Sequence, residues 1–382
     1  MENLSHSLVG AALAELALPA NASTPQRRLF FWAGITAANL PDADLLYSSI
    51  TPPPLGYLLH HRGHTHTFAG LIALASLIAV VCMLPLIRRS VALSPGRFWP
   101  MIAVALCSHI MLDWWNSYGV HPFFPFDMRW YYGDAVSIFE PWLWVILGAA
   151  VTLNARGDRA RLLLIALFAV LTGALGIFGL VPRVALAALL ISAALIAWCM
   201  RRFTPSQRSA FALVTVVGFV ALMFETSHVA RTRAVAALPL PERGHVVDMV
   251  MSPQPGNPFC WTSLGITVNA AATEYALTRG DVAIGPIAAV CGSSFTGARF
   301  DKPVRLSLTQ LQERARTDCR VRAWLQFGRA PIIGDGTIAD YRFGGAQRGN
   351  FSALALASTD RACPAHLTNW AMPRADLLSP LD

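Results

Sequence analysis

Long uncharged apolar runs alternate with short arginine-bearing connectors along the first two-thirds of the chain, and this pattern predicts helices that cross a bilayer. Phe68 to Ile87 is 20 residues without a charge, and Leu162 to Pro182 is 21. At about 1.5 Å per residue, each is long enough to traverse a hydrocarbon core of about 30 Å. Four shorter runs with similar flanks are read as further spans: Phe98 to Leu112, Pro141 to Ala155, Val184 to Met200 and Ser209 to Phe224. Leu4 to Leu18 and Leu29 to Leu40 are too short to cross unaided, since about 15 helical residues reach only about 22 Å. They predict a hairpin tucked into the bundle.

From about Ser227 the pattern changes. Pro239, Pro241, Pro253, Pro255, Gly256 and Pro258 punctuate short β-branched or aromatic runs such as Gly265 to Val268 and Val282 to Val290. Such punctuation predicts strands and turns. The expected fold is mainly α, a polytopic transmembrane helical bundle over residues 1–226 followed by a C-terminal periplasmic β-rich or α+β domain over residues 227–382.

Composition agrees. Of 382 residues, 54% are hydrophobic and 14% charged, with mean hydropathy +0.47, which excludes a disordered chain and argues against an ordinary soluble enzyme. The net charge of +8 is concentrated at span ends: Arg27 and Arg28; Arg88, Arg89 and Arg97; Arg156, Arg159 and Arg161; Arg201, Arg202 and Arg208. The positive-inside rule makes those loops cytoplasmic. Residues 41–67, residues 113–140 and everything after about 227 then face the opposite side, the periplasm of a bacterial inner membrane. Nucleic acid is disfavoured as a partner, because the basic clusters are topology signals. Leu8 to Leu18 followed by Ala20-Asn21-Ala22 has the outline of a signal peptide, but Glu2 and the lack of Lys or Arg before it favour a retained helix. Cys260, Cys291, Cys319 and Cys363 lie in the tail, where an oxidising compartment permits two disulfides in any of three connectivities.

The candidate chemistry is concentrated in histidine. His60, His61, His64 and His66 fall within seven residues of a chain with only 10 histidines. Upstream lies Pro41-Asp42-Ala43-Asp44, where the proline ends a helix and leaves two carboxylates at its exit. Downstream, His109 and Asp113 are spaced i and i+4, which puts them on one helix face. With His6, all of these arrive at one side of the membrane under the derived topology. Ionisable groups near membrane depth cost several kcal/mol unless paired, hydrated or metal-bound, so the cluster is a functional candidate. Imidazole with carboxylate suits Zn²⁺ first, with Mn²⁺ or Fe²⁺ as alternatives, as one or two ions. The candidate ligands are His6, Asp42, His61, His64, His109 and Asp113, with His61 and His64 preferred within the string. Candidates for catalytic roles are Asp44, Arg62 and His66. Arg62 either clamps a phosphate oxygen or pairs with Asp42 or Asp44.

These motifs resemble a family of bacterial inner-membrane metal-dependent hydrolases, some described as LexA-binding. The resemblance rests on His6, on Pro41-Asp42-Ala43-Asp44, on His61-Arg62-Gly63-His64-Thr65-His66-Thr67 and on His109 through Asp113 followed by Gly119. It extends loosely into the tail at Ser252 through Trp261. No motif for a LexA association is readable. The ligand order is also distantly similar to the zinc-dependent phospholipase C and P1 nuclease group, but that group's later His-x-x-x-Glu has no clear counterpart; His121, Asp127, Asp134 and Glu140 are the only candidates. The resemblance implies a hydrolase using metal-activated water. Trp114, Trp115, Trp130, Tyr131 and Tyr132 beside the site either anchor the chain at the headgroups or border a mouth for a lipid. The expected reaction is hydrolysis of a phosphodiester in a lipid or lipid-linked substrate. The competing class is a proton- or metal-coupled transporter using the His/Asp cluster as a relay.

Overall fold

The computed structural model describes every residue except 242–243, 286–290, 292–296, 348, 357–362 and 379–382, together with the side chain of Leu86. Helices α1 (Asn3–Ala17) and α2 (Thr24–Asn39) pair as a hairpin. Each begins on a side-chain cap, with Glu2 accepting from the Ser5 N–H and Ser23 accepting from the Gln26 N–H. Their backbones touch, because a Cβ built on Gly10 would lie 2.4 Å from the Gly34 carbonyl oxygen. Only glycine fits there. Asn39 at the end of α2 donates to Ser7 Oγ of α1 at 3.1 Å, closing the other end of the pair.

Against this hairpin lies α6 (Pro95–Trp114). Its buried positions Phe98, Ile102, Ala105, Leu106, His109 and Asp113 recur at helical spacing, so the apolar stripe that docks α6 also carries the two polar residues inward.

The uncharged run Phe68 to Ile87 is not one helix. It forms α4 (Phe68–Cys82) and α5 (Pro85–Ala92), with Leu84 extended between them at φ −56° and ψ 134°. Pro85 is the reason, since its ring excludes helical backbone at the preceding residue and it donates no hydrogen bond. The 15 residues of α4 are too few to cross alone. With α3 (Leu55–His60) and the turn to His66, α4 makes an apolar helix pair bent by 71°, the form of a broken span or a re-entrant loop.

Among the described residues three helices are long and apolar enough to cross a membrane: α8 (Asp158–Ile177), α9 (Arg183–Met200) and α10 (Pro205–Ala237). The first two bury only 6% and 17% of their apolar windows inside the protein. Leu162 to Pro182, Val184 to Met200 and Ser209 to Phe224 thus correspond to real helices, while Pro141 to Ala155 is the 14-residue α7 (Pro141–Asn154) and Phe98 to Leu112 is interior to α6. α10 continues past residue 226 to Ala237 and carries the chain into a sheet domain.

That domain holds an antiparallel sheet in the order β1 (His245–Gln254), β2 (Asn257–Val268), β3 (Glu274–Ala283) and β4 (Gly297–Phe300), with β5 (Val304–Ser307) also on β3. The run Val282 to Val290 supplies only the end of β3; its residues 286–290 lie outside the described residues. After α11 (Leu308–Thr317) and α12 (Cys319–Trp324), a second sheet joins β6 (Pro331–Gly334), β7 (Thr337–Asp340) and β8 (Leu354–Ala355). The disulfides are Cys260–Cys291 and Cys319–Cys363, which selects one of the three connectivities.

The sheet domain is wired to the segment after α6 by buried arginines. Arg329 grips both Asp134 oxygens at 2.8 Å, reaches Asp248 Oδ2 at 2.8 Å and lies 4.0 Å over the Tyr132 ring. Burial alone would raise the Asp248 carboxyl, but Arg329 more than offsets this and holds it down at about 2. Removing one partner of a buried pair strands the other charge, so Arg329→Leu is expected to cost about 3–5 kcal/mol. Thermal unfolding in detergent checks this; an unchanged midpoint would show the network to be dispensable.

Candidate metal centre

The cluster grows out of three backbone interruptions. α2 ends where Pro41 opens a 3₁₀ turn, Leu40–Leu46, which carries Asp42 and Asp44. α3 ends at His60, and Arg62 then takes the left-handed region at φ 58°. This reversal leads into a second 3₁₀ turn, His64–His66, and Thr67 caps α4 by accepting from the Gly70 N–H at 2.8 Å. The third contribution is the inner face of α6, with His109 and Asp113.

Asp42, His66, His109 and Asp113 each offer one ligand atom within 4.8 Å of the others. Their orientation follows from their outer neighbours. His109 Nδ1 lies 2.7 Å from the Ala38 carbonyl oxygen, which can only accept, so Nδ1 donates there and Nε2 faces inward. His66 Nδ1 lies 3.2 Å from Asp44 Oδ2 and is fixed the same way. The two Nε2 atoms then face each other at 3.0 Å. Asp42 Oδ1 is 3.4 Å from both, and Asp113 Oδ2 is 3.3 Å from His66 and 3.6 Å from His109. Two imidazole nitrogens and two carboxylate oxygens at this range are held together by positive charge among them, which a proton on an imidazole or a divalent cation supplies. This donor set fits a divalent cation bound by nitrogen and oxygen.

Neighbouring groups complete the picture. His6 is buried and stacks on His109 at 3.9 Å, its Nε2 lies 3.5 Å from Asp113 Oδ1, and neither ring nitrogen has a hydrogen-bond partner among the described residues. It is an orphaned imidazole aimed at the cluster. Arg62 donates to Asp113 Oδ1 at 3.0 Å, as does the Met1 amino group. The Arg62 side chain thus pairs with Asp113, while only its backbone N–H reaches Asp44, at 2.9 Å. Its second nitrogen donates to Asn116 Oδ1 at 3.1 Å, its plane lies 4.5 Å over Tyr118, and Nε is unpartnered.

Asp44 is the organising carboxylate. It accepts from His61 Nδ1 at 3.1 Å, the Arg62 N–H, Thr65 Oγ1 at 3.0 Å and His66 Nδ1. Burial would raise its carboxyl, but the bonds from His61 and His66 outweigh that and hold it at about 2.

The structure therefore brings together Asp42, His66, His109 and Asp113, with His6 and Arg62 in contact. His61 forms a second possible group with Asp42 and Asp44. His64 is placed elsewhere, its exposed ring 5.0 Å from Phe124 and from Trp370. His60 bonds Thr51 Oγ1 at 2.9 Å. His121 is sandwiched at 3.9 Å between Trp130 and Trp370, Asp127 pairs with Arg129, Asp134 with Arg329, and Glu140 caps α7 and the Gly256 N–H. Trp115 and Trp130 are buried and Tyr132 is half-buried, so these three do not form a lipid-facing belt.

Sequence reasoning missed the supporting residues. Thr65 and Asn116 sat inside or beside the motifs and could have been found by asking what satisfies Asp44 and Arg62. The Ala38 carbonyl has no side-chain signal. Nor does Trp370, whose indole N–H donates to the Leu59 carbonyl at 2.8 Å from far along the chain.

Asp44→Asn should leave every ligand in place yet lower divalent-metal affinity by about 10- to 100-fold, the usual cost of losing a carboxylate that orients a ligating histidine. Metal titration by calorimetry reads this; wild-type affinity would mean that Asp44 does not orient His66.

Residues 1–182, just under half of the chain, match the family model described as YdjM inner membrane protein. The chain is also 24% identical over 176 residues to the uncharacterised protein YfhP of Bacillus subtilis (strain 168), covering 45% of this chain and 52% of YfhP. It thus spans about half the length of the curated relative it matches. No solved structure matches. Every cluster residue, from His6 to Asp113, falls within the stretch that is similar to the YdjM inner membrane protein family.

Proposed function

We propose that this chain is a membrane-bound, metal-dependent hydrolase that cleaves a phosphodiester of a lipid or lipid-linked substrate at the periplasmic face. The observation that carries the reading is the inward-facing pair of imidazole Nε2 atoms, 3.0 Å apart between two carboxylates and each locked by an outer acceptor. Asp42, His66, His109 and Asp113 would hold the ion, zinc first by ligand chemistry, with His6 available beside them. A bound divalent cation supplies an activated water nucleophile and offsets charge developing on a scissile ester.

The chain's own residues do the rest. Asp44 and the Ala38 carbonyl engage the outer nitrogen of each imidazole, so both Nε2 atoms face the ligand positions. Arg62, held by Asp113, Asn116 and Tyr118, keeps a buried Nε–H without a partner among the described residues, and this is the donor a phosphate oxygen entering the cluster would meet. Support for a lipid comes from exposed apolar side chains in the segments that carry the cluster: Leu46 is 86% and Phe126 96% exposed, with Leu45, Ile50 and Phe123 near them in the chain and Phe68 bonded through its N–H to the Pro122 carbonyl. Such a concentration of apolar surface favours contact with a membrane or an acyl chain.

One observation favours the alternative, a proton- or metal-coupled transporter: the apolar helix pair bent by 71° delivers His66 to the cluster, as discontinuous helices do in transporters.

The deciding experiment is metal content by plasma mass spectrometry on detergent-purified protein, alongside hydrolysis of bis-p-nitrophenyl phosphate and of phospholipid vesicles. Wild type is expected to hold stoichiometric Zn, Mn or Fe and to hydrolyse phosphodiester. His66→Ala and His109→Ala should lose both, with activity falling by more than the roughly 100-fold seen for residues that only orient a ligand. A folded protein that stays metal-free after incubation with those metals would sink the hydrolase and leave the relay.

A further inference from the structure

A second site lies on other helices. An open-sided cavity of about 950 Å³ lies between α7, α8 and α9, with apolar walls that include Gly148, Phe168 and Ala193. At one end its lining is Arg161, Arg201 and Arg208. No Asp or Glu lines it, and none of these arginines makes an ion pair among the described residues. Arg208 is locked in place by the Met200 carbonyl at 3.0 Å, the Leu153 carbonyl at 3.1 Å and Asn154 Oδ1 at 3.3 Å. Arg161 and Arg201 are exposed beside it.

We propose that this cavity holds one anionic phospholipid, its phosphate on the three arginines and its acyl chain along α7. Charge selects the occupant. A cavity that only needed covering would have apolar or mixed ends, whereas this one is apolar along its length and uniformly cationic at its mouth. Length agrees, because the 14 residues of α7 rise about 21 Å, more than the roughly 15 Å of one leaflet's hydrocarbon half-thickness. Location agrees as well. α8 and α9 bury almost none of their apolar surface in protein, so the cavity opens towards a lipid phase. Basic pockets between membrane helices recognise anionic headgroups for the same reason. The site is independent of the metal cluster, and its lipid is bound rather than cleaved.

The test uses the full chain exchanged into detergent with equimolar phosphatidylglycerol and phosphatidylcholine, read by native mass spectrometry. Wild type is expected to retain one phosphatidylglycerol in preference to phosphatidylcholine. The double variant Arg161→Gln with Arg201→Gln should reduce that preference by about fivefold per charge removed. Ala193→Phe, which fills the cavity, should lose both lipids. Both arginines are exposed, so the double variant remains informative even if the filled variant fails to fold. Equal retention of the two lipids by wild type would overturn the proposal, and so would a lipid-free species of two chains, which would assign the face to self-association.

Discussion

Asp44 is the constraint on which the rest of the site depends. Its carboxylate accepts two imidazole N–H groups, a backbone N–H and a hydroxyl, three of the four on Oδ2. Its work is orientation. It joins the strained reversal at Arg62 to the turn that carries His66, so the loop after α3 cannot move without releasing the imidazole. The Ala38 carbonyl plays the same part for His109 from the last turn of α2. Two outer acceptors on two elements thereby turn the Nε2 atoms of both histidines inward, and the geometry of the cluster follows.

Much of this was legible in order of distance along the chain. His109 and Asp113 share a face by helical period, and Pro41 forces Asp42 and Asp44 out of a helix, so both contributions were readable from local rules. The choice within His60, His61, His64 and His66 was not. It turns on the left-handed residue at Arg62 and a three-residue 3₁₀ turn, which send neighbouring side chains in unrelated directions; Thr65 beside Asp44 is the one local clue. Pro85 was a visible break inside the run from Phe68 to Ile87, yet hydropathy averaged across it. Contacts such as Arg329 with Asp134 and Trp370 with Leu59 join segments hundreds of residues apart, and composition carries no trace of them.

The sheet domain also does more than append mass to a membrane bundle. Arg342 donates to the Ser117 carbonyl at 2.6 Å and to Asp340, while Trp130 donates to the Gln326 carbonyl at 2.6 Å. The bonds to Ser117 and from Trp130 tie the domain to the segment that follows α6. The domain therefore braces the chain downstream of Asp113.

The glycine contact between α1 and α2 sets a length scale. With backbone against backbone at Gly10 and Gly34, the hairpin is as thin as two helices permit, and His6 on α1 can stack on His109 of a third helix. Even a single methyl at Gly10 would wedge the hairpin apart by more than its thickness allows and draw His6 away from its stacking partner. The pair of glycines is in that sense a feeler gauge, holding the spacing between imidazoles from a position that touches none of them.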